Sequence, residues 1–253
     1  MKITGNTVLI TGGATGIGLA LAEAFLNENN EVIIVGRRKR RLQQAKRQLP
    51  EAYTRCVDVS NEFARQKLFR WVSSEFSKVN ILVNNAGIQR KLDFASRKIL
   101  KSVPPDDEIA INLVAPIRLC ALFTPALLRR KNAAIVNVSS GLAFVPIASM
   151  PIYCATKAAL HSFTVSLRHQ LRNSTVRVFE AAPPATDTEL DKSFAGEQEH
   201  AHRGITAREV AAAIMDGLRA DNEQIIIGQA QELYESSLRD PLAAFKRLND
   251  YDS

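Results

Sequence analysis

The sequence contains little of what several classes of protein require. Only three cysteines occur among its 253 residues, and they lie far apart, so neither a disulfide framework nor a metal-type spacing is present and a reducing compartment is indicated. No continuous apolar run reaches about 18 residues, so we expect no membrane insertion. The segment Met1–Gly5 lacks the apolar core of a signal peptide, which predicts a cytoplasmic protein.

Aromatic residues are also scarce, at 6% of the chain, although the net charge is +7. Such a charge suits a polyanion or an anionic ligand. The densest basic run, Arg37–Arg41, contains no aromatic side chain on which a base would stack. We therefore expect no nucleic-acid partner, and the run is either a solvated helix start or a phosphate site. No zinc-type ligand cluster occurs, so no catalytic metal is expected.

Short apolar runs alternate with helical patterns along the whole chain. This alternation predicts an α/β fold, a Rossmann-like doubly wound parallel sheet of about seven strands with helices on both faces. A flavodoxin-like domain with an appendage is the alternative. We expect a single dinucleotide-binding domain over 1–253, with a substrate loop near 187–205. A charged C-terminal tail follows over 229–253, in which Asp240-Pro241 opens a short helix.

The boundaries of these elements follow from the apolar pattern and from helix caps. The predicted strands are Thr7–Ile10, Glu31–Val35, Tyr53–Val57, Val79–Val83, Ala133–Val138, Val176–Ala181 and Gln224–Ile227. The predicted helices are Ile17–Asn29, Arg38–Leu49, Asn61–Phe76, Asp106–Lys131, Pro151–Leu171 and Thr206–Arg219. Pro116 and Pro125 lie inside the fourth helix and predict a kink or a break there.

Glycines recur in the turn after the first predicted strand, at Gly12, Gly16 and Gly18. Glycine lets the backbone turn tightly and lets an anion approach the N-terminus of the next helix. The spacing Gly-x-x-x-Gly-x-Gly differs from the commoner Gly-x-Gly-x-x-Gly, but the strand–turn–helix context is the one that a dinucleotide site requires. We predict a pyrophosphate-binding turn rather than a merely tight connection.

Three residues in the second half of the chain can carry out proton chemistry together. Tyr153 and Lys157 are four apart in a predicted helix, so the phenol and the ammonium share one face. A neighbouring ammonium lowers the pKa of a tyrosine towards the range in which it exchanges protons. Ser140 ends a strand-like run, where its hydroxyl would hydrogen-bond a substrate oxygen. Alone, this spacing is a weak signal, since a surface tyrosine and an unrelated lysine also produce it.

The end of the second predicted strand bears on the choice of cofactor. NAD-binding proteins usually place a carboxylate there for the ribose 2′-hydroxyl. Gly36 occupies this position, and Arg37 and Arg38 follow it. A guanidinium suits a 2′-phosphate, so we predict NADP(H).

Together these features resemble the short-chain dehydrogenase/reductase family. The matching motifs are Thr11-Gly12-x-x-x-Gly16-x-Gly18, Asn84-Asn85-Ala86-Gly87, Ser140 and Tyr153-x-x-x-Lys157. The match extends over residues 5 to about 228, with each motif in the expected strand or helix. The stretch from Ser140 to Phe163, with Ala-Pro-Pro-x-x-Asp-Thr after it, is most similar to the DltE-type oxidoreductases, which implies a bacterial origin.

The resemblance implies an oxidoreductase that acts on a small carbonyl or alcohol with NADP(H). It makes Tyr153 the general acid or base, Lys157 the ligand of the nicotinamide ribose and Ser140 the group that binds the substrate oxygen. Asn112 matches an asparagine that anchors a proton-relay water. With the turn and the arginines included, the expected cofactor contacts are Gly12, Thr15, Gly16, Ile17, Gly18, Arg37, Arg38, Asp58, Val59, Asn85, Ala86, Gly87, Tyr153, Lys157, Pro183, Thr186 and Thr188.

The chain departs from the family pattern after the sixth strand, where Pro183-Pro184 replaces the usual Pro-Gly. Proline lacks an amide hydrogen, so the backbone beside the nicotinamide is expected to differ. An NADP(H)-binding sensor or scaffold with little turnover is therefore the alternative function. The helices near 106–131 and 152–172 are apolar on more than one side, and the family commonly pairs them. We expect a homodimer or homotetramer.

Overall fold

A computed structural model gives the fold of residues 1–96, 106–188 and 204–250. The strands are β1 (Thr7–Thr11), β2 (Glu31–Gly36), β3 (Tyr53–Cys56), β4 (Ile81–Asn84), β5 (Ala133–Val138), β6 (Val176–Ala182), β7 (Thr186–Asp187), β8 (Ile205–Thr206) and β9 (Gln224–Ile226). Seven of them form one parallel sheet in the order β3-β2-β1-β4-β5-β6-β9. The short strands β7 and β8 pair separately. The large sheet confirms the predicted doubly wound fold.

Helices cover both faces of this sheet. They are α1 (Gly16–Asn27), α2 (Lys39–Gln48), α3 (Glu62–Glu75), α4 (Asp107–Leu127), α5 (Pro151–Leu171), α6 (Ala207–Arg219), α7 (Gln229–Arg239) and α8 (Pro241–Asn249). Successive strand residues point to opposite faces, so the buried strand β1 contributes to two cores. Val8 and Ile10 pack in the core that includes α1, α2 and α6, whereas Leu9 packs in the core that includes α3, α4 and α5.

The helix α4 is irregular where its sequence meets a proline. Its residues Ala110–Val114 form a π-helical turn, in which the amide of Ala115 donates to the carbonyl of Ala110. In a regular α-helix the carbonyl of Asn112 would accept from residue 116, and Pro116 has no amide hydrogen to donate. The predicted irregularity at Pro116 therefore takes the form of a π turn. The helix runs on through Pro125 to Leu127 without a break.

The charged C-terminal tail contains more helix than its sequence predicts. Asp240 caps α8 by accepting from the amide of Ala243 at 3.0 Å, which agrees with the short helix expected at Asp240-Pro241. A further helix, α7, precedes it and packs on the turn Gly141–Ala143 that follows β5. The prediction missed α7. Gly228 precedes α7 as its N-cap, with a φ of +55°.

Among the described residues, one helix, Asp107–Leu127, is long and apolar enough to cross a membrane by length and composition. Buried core helices of soluble proteins meet the same criteria of length and composition, so one such helix is weak evidence for a membrane span. Ile111, Leu119 and Phe123 of this helix lie in the core beside the sheet.

Candidate functional site: a cleft at the switch point of the sheet

A cleft of about 540 Å³ opens at the carboxyl ends of the strands, where β1 and β4 are neighbours and the strand order reverses. Such switch points are where doubly wound sheets bind their ligands. Of the residues predicted from the sequence, the cleft is lined by Gly12, Thr15, Gly16, Ile17, Arg37, Arg38, Asp58, Val59, Asn85, Ala86, Gly87, Tyr153, Lys157, Pro183 and Thr188. Gly18, Asn112, Ser140 and Thr186 are not among the described residues that line it.

Glycines in the turn after β1 allow its close approach to neighbouring backbone. Gly12 has a φ of +66°, and an added Cβ would lie 2.9 Å from the Cα of Ala86. Gly16 has a φ of +54° and faces Thr188, whose Cγ2 would lie 3.1 Å from such a Cβ. A side chain at either position would be strained. The turn therefore presents bare backbone at the N-terminus of α1.

Thr11 and Asn85 join this turn to the segment after β4. The hydroxyl of Thr11 accepts from the amides of Asn85 at 3.0 Å and Ala86 at 3.1 Å. In return, the Asn85 amide group donates to the carbonyl of Thr11 at 2.9 Å. Gly18 lies behind this contact, because an added Cβ would meet Asn85 Nδ2 at 2.5 Å. Gly18 therefore acts through packing rather than as part of the cleft wall.

One end of the cleft carries the two arginines after β2. The guanidinium of Arg38 donates to the hydroxyl of Thr15 at 3.1 Å, which links it to the glycine turn. Arg37 lies beside it on the cleft wall. Asp58 lines the same end and accepts from the amide of Ser60 at 3.0 Å and from its hydroxyl at 2.7 Å. This end is therefore predominantly cationic.

Tyr153 and Lys157 lie at the other end, on α5, and both are buried. Lys157 Nζ is 5.6 Å from the centre of the Tyr153 ring and donates to the carbonyl of Val138 at 2.8 Å. Burial lowers the pKa of Lys157 to about 8, although the negative charge of Glu180 opposes this shift. The helical spacing thus brings the phenol and the amine to one wall, as the sequence predicts.

Asn112 lies behind the cleft and positions the segment after β4. Its side chain accepts from the amide of Ile88 at 2.9 Å, donates to the carbonyl of Ile88 at 2.8 Å and donates to Thr156 at 3.1 Å. The side chain therefore acts on the segment after β4, while Pro116 has no amide hydrogen to donate to the backbone carbonyl of Asn112.

The two serines after β5 face different partners. Ser140 Oγ accepts from the amide of Leu142 at 3.1 Å and caps the turn Gly141–Ala143. That bond uses a lone pair and leaves the hydroxyl hydrogen to donate. Ser139 lines the cleft and donates to Glu180 at 2.6 Å. Sequence reasoning selected Ser140 and did not identify a role for Ser139.

The double proline borders the cleft on a third side. Pro183 lines it, and its carbonyl accepts from the amide of Gly141 at 2.9 Å. Thr186 is buried and donates to the carbonyl of Pro184 at 2.9 Å, so its hydroxyl stabilises this turn rather than lining the cleft. Thr188 does line it. Of the expected substrate loop, 189–203 lies outside the described residues.

Sequence reasoning missed two ionic groups near the cleft. Arg90 lines it and forms a two-pronged ion pair with Asp107, at 2.7 Å for each contact. This pair lowers the pKa of Asp107. The second group is the contact of Glu180 with His161, at 2.8 Å. A carboxylate inside an apolar strand pattern was the available signal for Glu180. The described residues contain no cluster of three or more metal-ligating side chains.

Comparison with known proteins agrees with this geometry. The family model described as short chain dehydrogenase matches residues 6–215. The uncharacterized oxidoreductase DltE of Bacillus subtilis (strain 168) is 46% identical over 254 residues, covering 100% of both chains. A crystal structure of a short chain dehydrogenase from Burkholderia cenocepacia J2315 in complex with NADP superposes with a TM-score of 0.81 at 27% identity, over 98% of this chain and 99% of that one.

A second solved structure, a short chain dehydrogenase/reductase from Burkholderia phymatum in complex with NAD, has a TM-score of 0.82 at 21% identity. It covers 100% of this chain and 98% of its own. At this identity the likeness concerns the fold. The matched family model and the full-length relative lead to one conclusion: the chain belongs to the short-chain dehydrogenase/reductase family and is an oxidoreductase of the DltE type.

Proposed function

We propose that this oxidoreductase interconverts a carbonyl group and a secondary alcohol on a small molecule, with NADP(H) as its cofactor and Tyr153 as its general acid and base. One observation carries the proposal: Tyr153 and Lys157 line the same cleft as the glycine turn after β1. A reactive pair and a dinucleotide-type turn therefore face one space. We further propose that the enzyme acts in the cytoplasm as a homodimer or homotetramer.

The residues of the cleft fit a dinucleotide. Gly12 and Gly16 adopt positive φ and let the turn pass close to Ala86 and Thr188 without a side chain of its own, and the start of α1 offers its amides to a pyrophosphate. Arg37 and Arg38 offer guanidinium groups to a 2′-phosphate at the cationic end. Asp58 would contact the adenine, Asn85, Gly87 and Lys157 would lie along the nicotinamide riboside, and Thr188 would approach the carboxamide. When bound, the nicotinamide supplies or accepts the hydride.

The protein supplies the proton. In reduction, Tyr153 donates its phenolic hydrogen to the substrate oxygen; in oxidation, the phenolate takes it back. The Lys157 ammonium, 5.6 Å from the ring centre, stabilises the phenolate through its charge. Ser140 donates to the same substrate oxygen and orients it. Asn112 holds the segment at Ile88 and leaves its carbonyl to a relay water, through which the tyrosine regains its proton from solvent.

The test measures NADPH binding and NADPH consumption across a panel of aldehydes and ketones. Tyr153→Phe removes the proton donor but keeps the ring, so turnover should fall by about 10²–10⁴ while NADPH binding stays within about twofold. Tyr53→Phe is the matched control, because Tyr53 lies exposed at the edge of the sheet on β3. Its turnover should not change.

Two outcomes would contradict the proposal. If Tyr153→Phe retains more than about a tenth of wild-type turnover, Tyr153 is not the general acid and base. Tight NADPH binding without turnover of any carbonyl compound, or of any alcohol with NADP⁺, favours the sensor or scaffold instead.

A further inference from the structure

Glu180 is a buried carboxylate that the proposed chemistry does not use. It lies on β6 with no exposed surface. One carboxylate oxygen accepts from the hydroxyl of Ser139 at 2.6 Å, and the other contacts Nδ1 of His161 at 2.8 Å. A buried carboxylate is unfavourable unless hydrogen bonds and opposite charge compensate it. The fold therefore provides a hydrogen-bond partner for each oxygen of the Glu180 carboxylate.

The same carboxylate lies beside the reactive lysine. Lys157 Nζ donates to the carbonyl of Val138, and the residue that follows β5, Ser139, donates to Glu180. On the helix side, His161 follows Lys157 by four residues, so both project from one face of α5 onto β5 and β6. Val138 and Ser139, at the end of β5, thus bind the lysine and the glutamate, and one face of α5 carries both Lys157 and His161.

The charges in this cluster compensate one another. Lys157 is 4% exposed, and burial of an ammonium favours its neutral form. The pKa of Lys157 is lowered by burial, and Glu180 is the charged group that opposes the shift. The lysine must be positively charged to stabilise a phenolate. The negative charge of Glu180 therefore offsets the effect of burial and favours the charged form of Lys157.

His161 connects the cluster to solvent, since its side chain is 28% exposed. Its hydrogen bond with Glu180 raises its pKa, whereas burial and the charge of Arg168 lower it. The rings of Phe144 and His161 pack edge to face with their centres 5.2 Å apart, and Phe144 in turn contacts Tyr234 of α7. Protonated His161 neutralises Glu180 and so weakens its effect on Lys157.

We propose that Glu180 is a positioning residue of this enzyme, a buried carboxylate that holds the positive charge on Lys157 and shares its own charge with the solvent-facing His161. The proposal rests on the proposed function for its effect on catalysis, but the charge of Lys157 is measurable without turnover. Through the cluster Ser139, Glu180 and His161, the charge of Lys157 then depends on whether the partly exposed His161 is protonated.

The test follows the ¹³Cε NMR signal of lysine-labelled protein against pH, with the Lys157 signal assigned by its absence in Lys157→Met. Glu180→Gln preserves the shape and hydrogen-bonding capacity of the side chain but removes its charge. The Lys157 midpoint should move to lower pH by about one unit. Glu180→Asp should keep most of the wild-type midpoint. Glu223→Gln is the matched control, because the exposed Glu223 pairs with Arg168; it should leave the midpoint in place.

Wild-type protein provides a second measurement if Glu180→Gln does not fold. The Lys157 signal should show a second, smaller inflection at the pH at which the His161 ring titrates, as expected for coupled groups. His161→Gln, at a partly exposed position, should remove this inflection. Its presence in wild type and loss in His161→Gln support the proposal, and its absence from wild type overturns it.

The effect of Glu180→Gln on catalysis is measured separately, from the pH dependence of kcat/KM. The measurement uses a carbonyl compound that the wild-type enzyme reduces. The fall of kcat/KM at alkaline pH should begin at lower pH in Glu180→Gln, in parallel with the shift of the Lys157 midpoint. An unmoved midpoint in folded Glu180→Gln overturns the role of Glu180 whether or not the enzyme turns over. A moved midpoint in a protein that reduces no compound retains that role and contradicts the proposed function instead.

Discussion

Asn112 and Ile88 are joined by two hydrogen bonds, one in each direction. The amide of Ile88 donates to Asn112 Oδ1 at 2.9 Å, and Asn112 Nδ2 donates to the carbonyl of Ile88 at 2.8 Å. Ile88 lines the cleft directly after the Asn84–Gly87 segment, while Asn112 lies in the π turn of α4. One buried side chain thus fixes the backbone of the cleft wall to a helix.

Replacing Asn112 with alanine should destabilise the protein, because the amide and the carbonyl of Ile88 would both lose a partner. We expect a loss of about 2 kcal/mol or more in the free energy of unfolding, measured by urea titration. Asn61→Ala is the control: Asn61 caps α3 at an exposed position by accepting from Ala64 at 2.9 Å, and its loss should cost about 1 kcal/mol. Equal losses in the two variants would contradict a special role for Asn112.

Much of the fold and part of the site follow from local sequence. The strand β1 and the glycine turn after it are predictable because their signals lie within a dozen residues: a buried apolar run, then glycines at Gly12 and Gly16, which adopt positive φ. Tyr153 and Lys157 are predictable for the same reason, since four residues on a helix make one turn. In each case the geometry depends on neighbours in the chain.

The remainder depends on contacts between distant segments. Ser139 and Glu180 are 41 residues apart and meet only because β5 and β6 are paired. Arg90 pairs with Asp107 across 17 residues that include 97–105, which lie outside the described residues. No periodicity in the sequence indicates which side chains meet across two strands. The helix α7 was missed because its polar composition resembles that of a solvated tail.

Lys157 should make stability depend on pH. Burial holds its pKa at about 8, below the ordinary 10.5. Between these values the unfolded chain binds a proton that the folded chain does not, so the free energy of unfolding rises with pH across this window. The contribution of Lys157 should be about 2 kcal/mol between pH 7.5 and 9.5, from urea titrations at the two values.

Two variants isolate this contribution. Lys157→Met should lack the rise, while Lys78→Met, which removes an exposed lysine, should retain it. The same rise in wild type and in Lys157→Met would show that other groups cause it.

Exposed apolar side chains on α4 and α5 predict an association of subunits. Val114 on α4 is 37% exposed and Val165 on α5 is 46% exposed. Helices that are apolar on their outer side need a second partner. We expect light scattering at micromolar concentration to give a particle at least twice the 27.9 kDa of the chain. Val165→Glu should shift the population towards the monomer.

Phe63→Glu is the matched control, because Phe63 is 73% exposed on a different helix, α3. It should leave the particle size unchanged. A wild-type particle of 27.9 kDa would rule out the association, and dissociation by both variants alike would show that the interface lies elsewhere.

Arg37 should decide the choice between NADPH and NADH. The strand β2 ends at Gly36, so no carboxylate stands where a 2′-hydroxyl would be bound or a 2′-phosphate repelled. Arg38 is linked to Thr15 at 3.1 Å, whereas Arg37 lies on the cleft wall with its charge acting on Asp107. A charge-assisted hydrogen bond to a 2′-phosphate contributes about 1.5–3 kcal/mol.

That free energy corresponds to about a ten- to hundredfold preference for NADPH. In Arg37→Ala, kcat/KM should therefore fall by this factor with NADPH and by less than about twofold with NADH. Arg40→Ala is the matched control, because Arg40 is exposed on α2 and should affect neither cofactor. Dissociation constants from fluorescence titration give the same comparison without turnover. Equal use of the two cofactors by wild type, or an equal loss with both in Arg37→Ala, would remove Arg37 from cofactor choice, because a contact with the 2′-phosphate cannot act on a cofactor that lacks one.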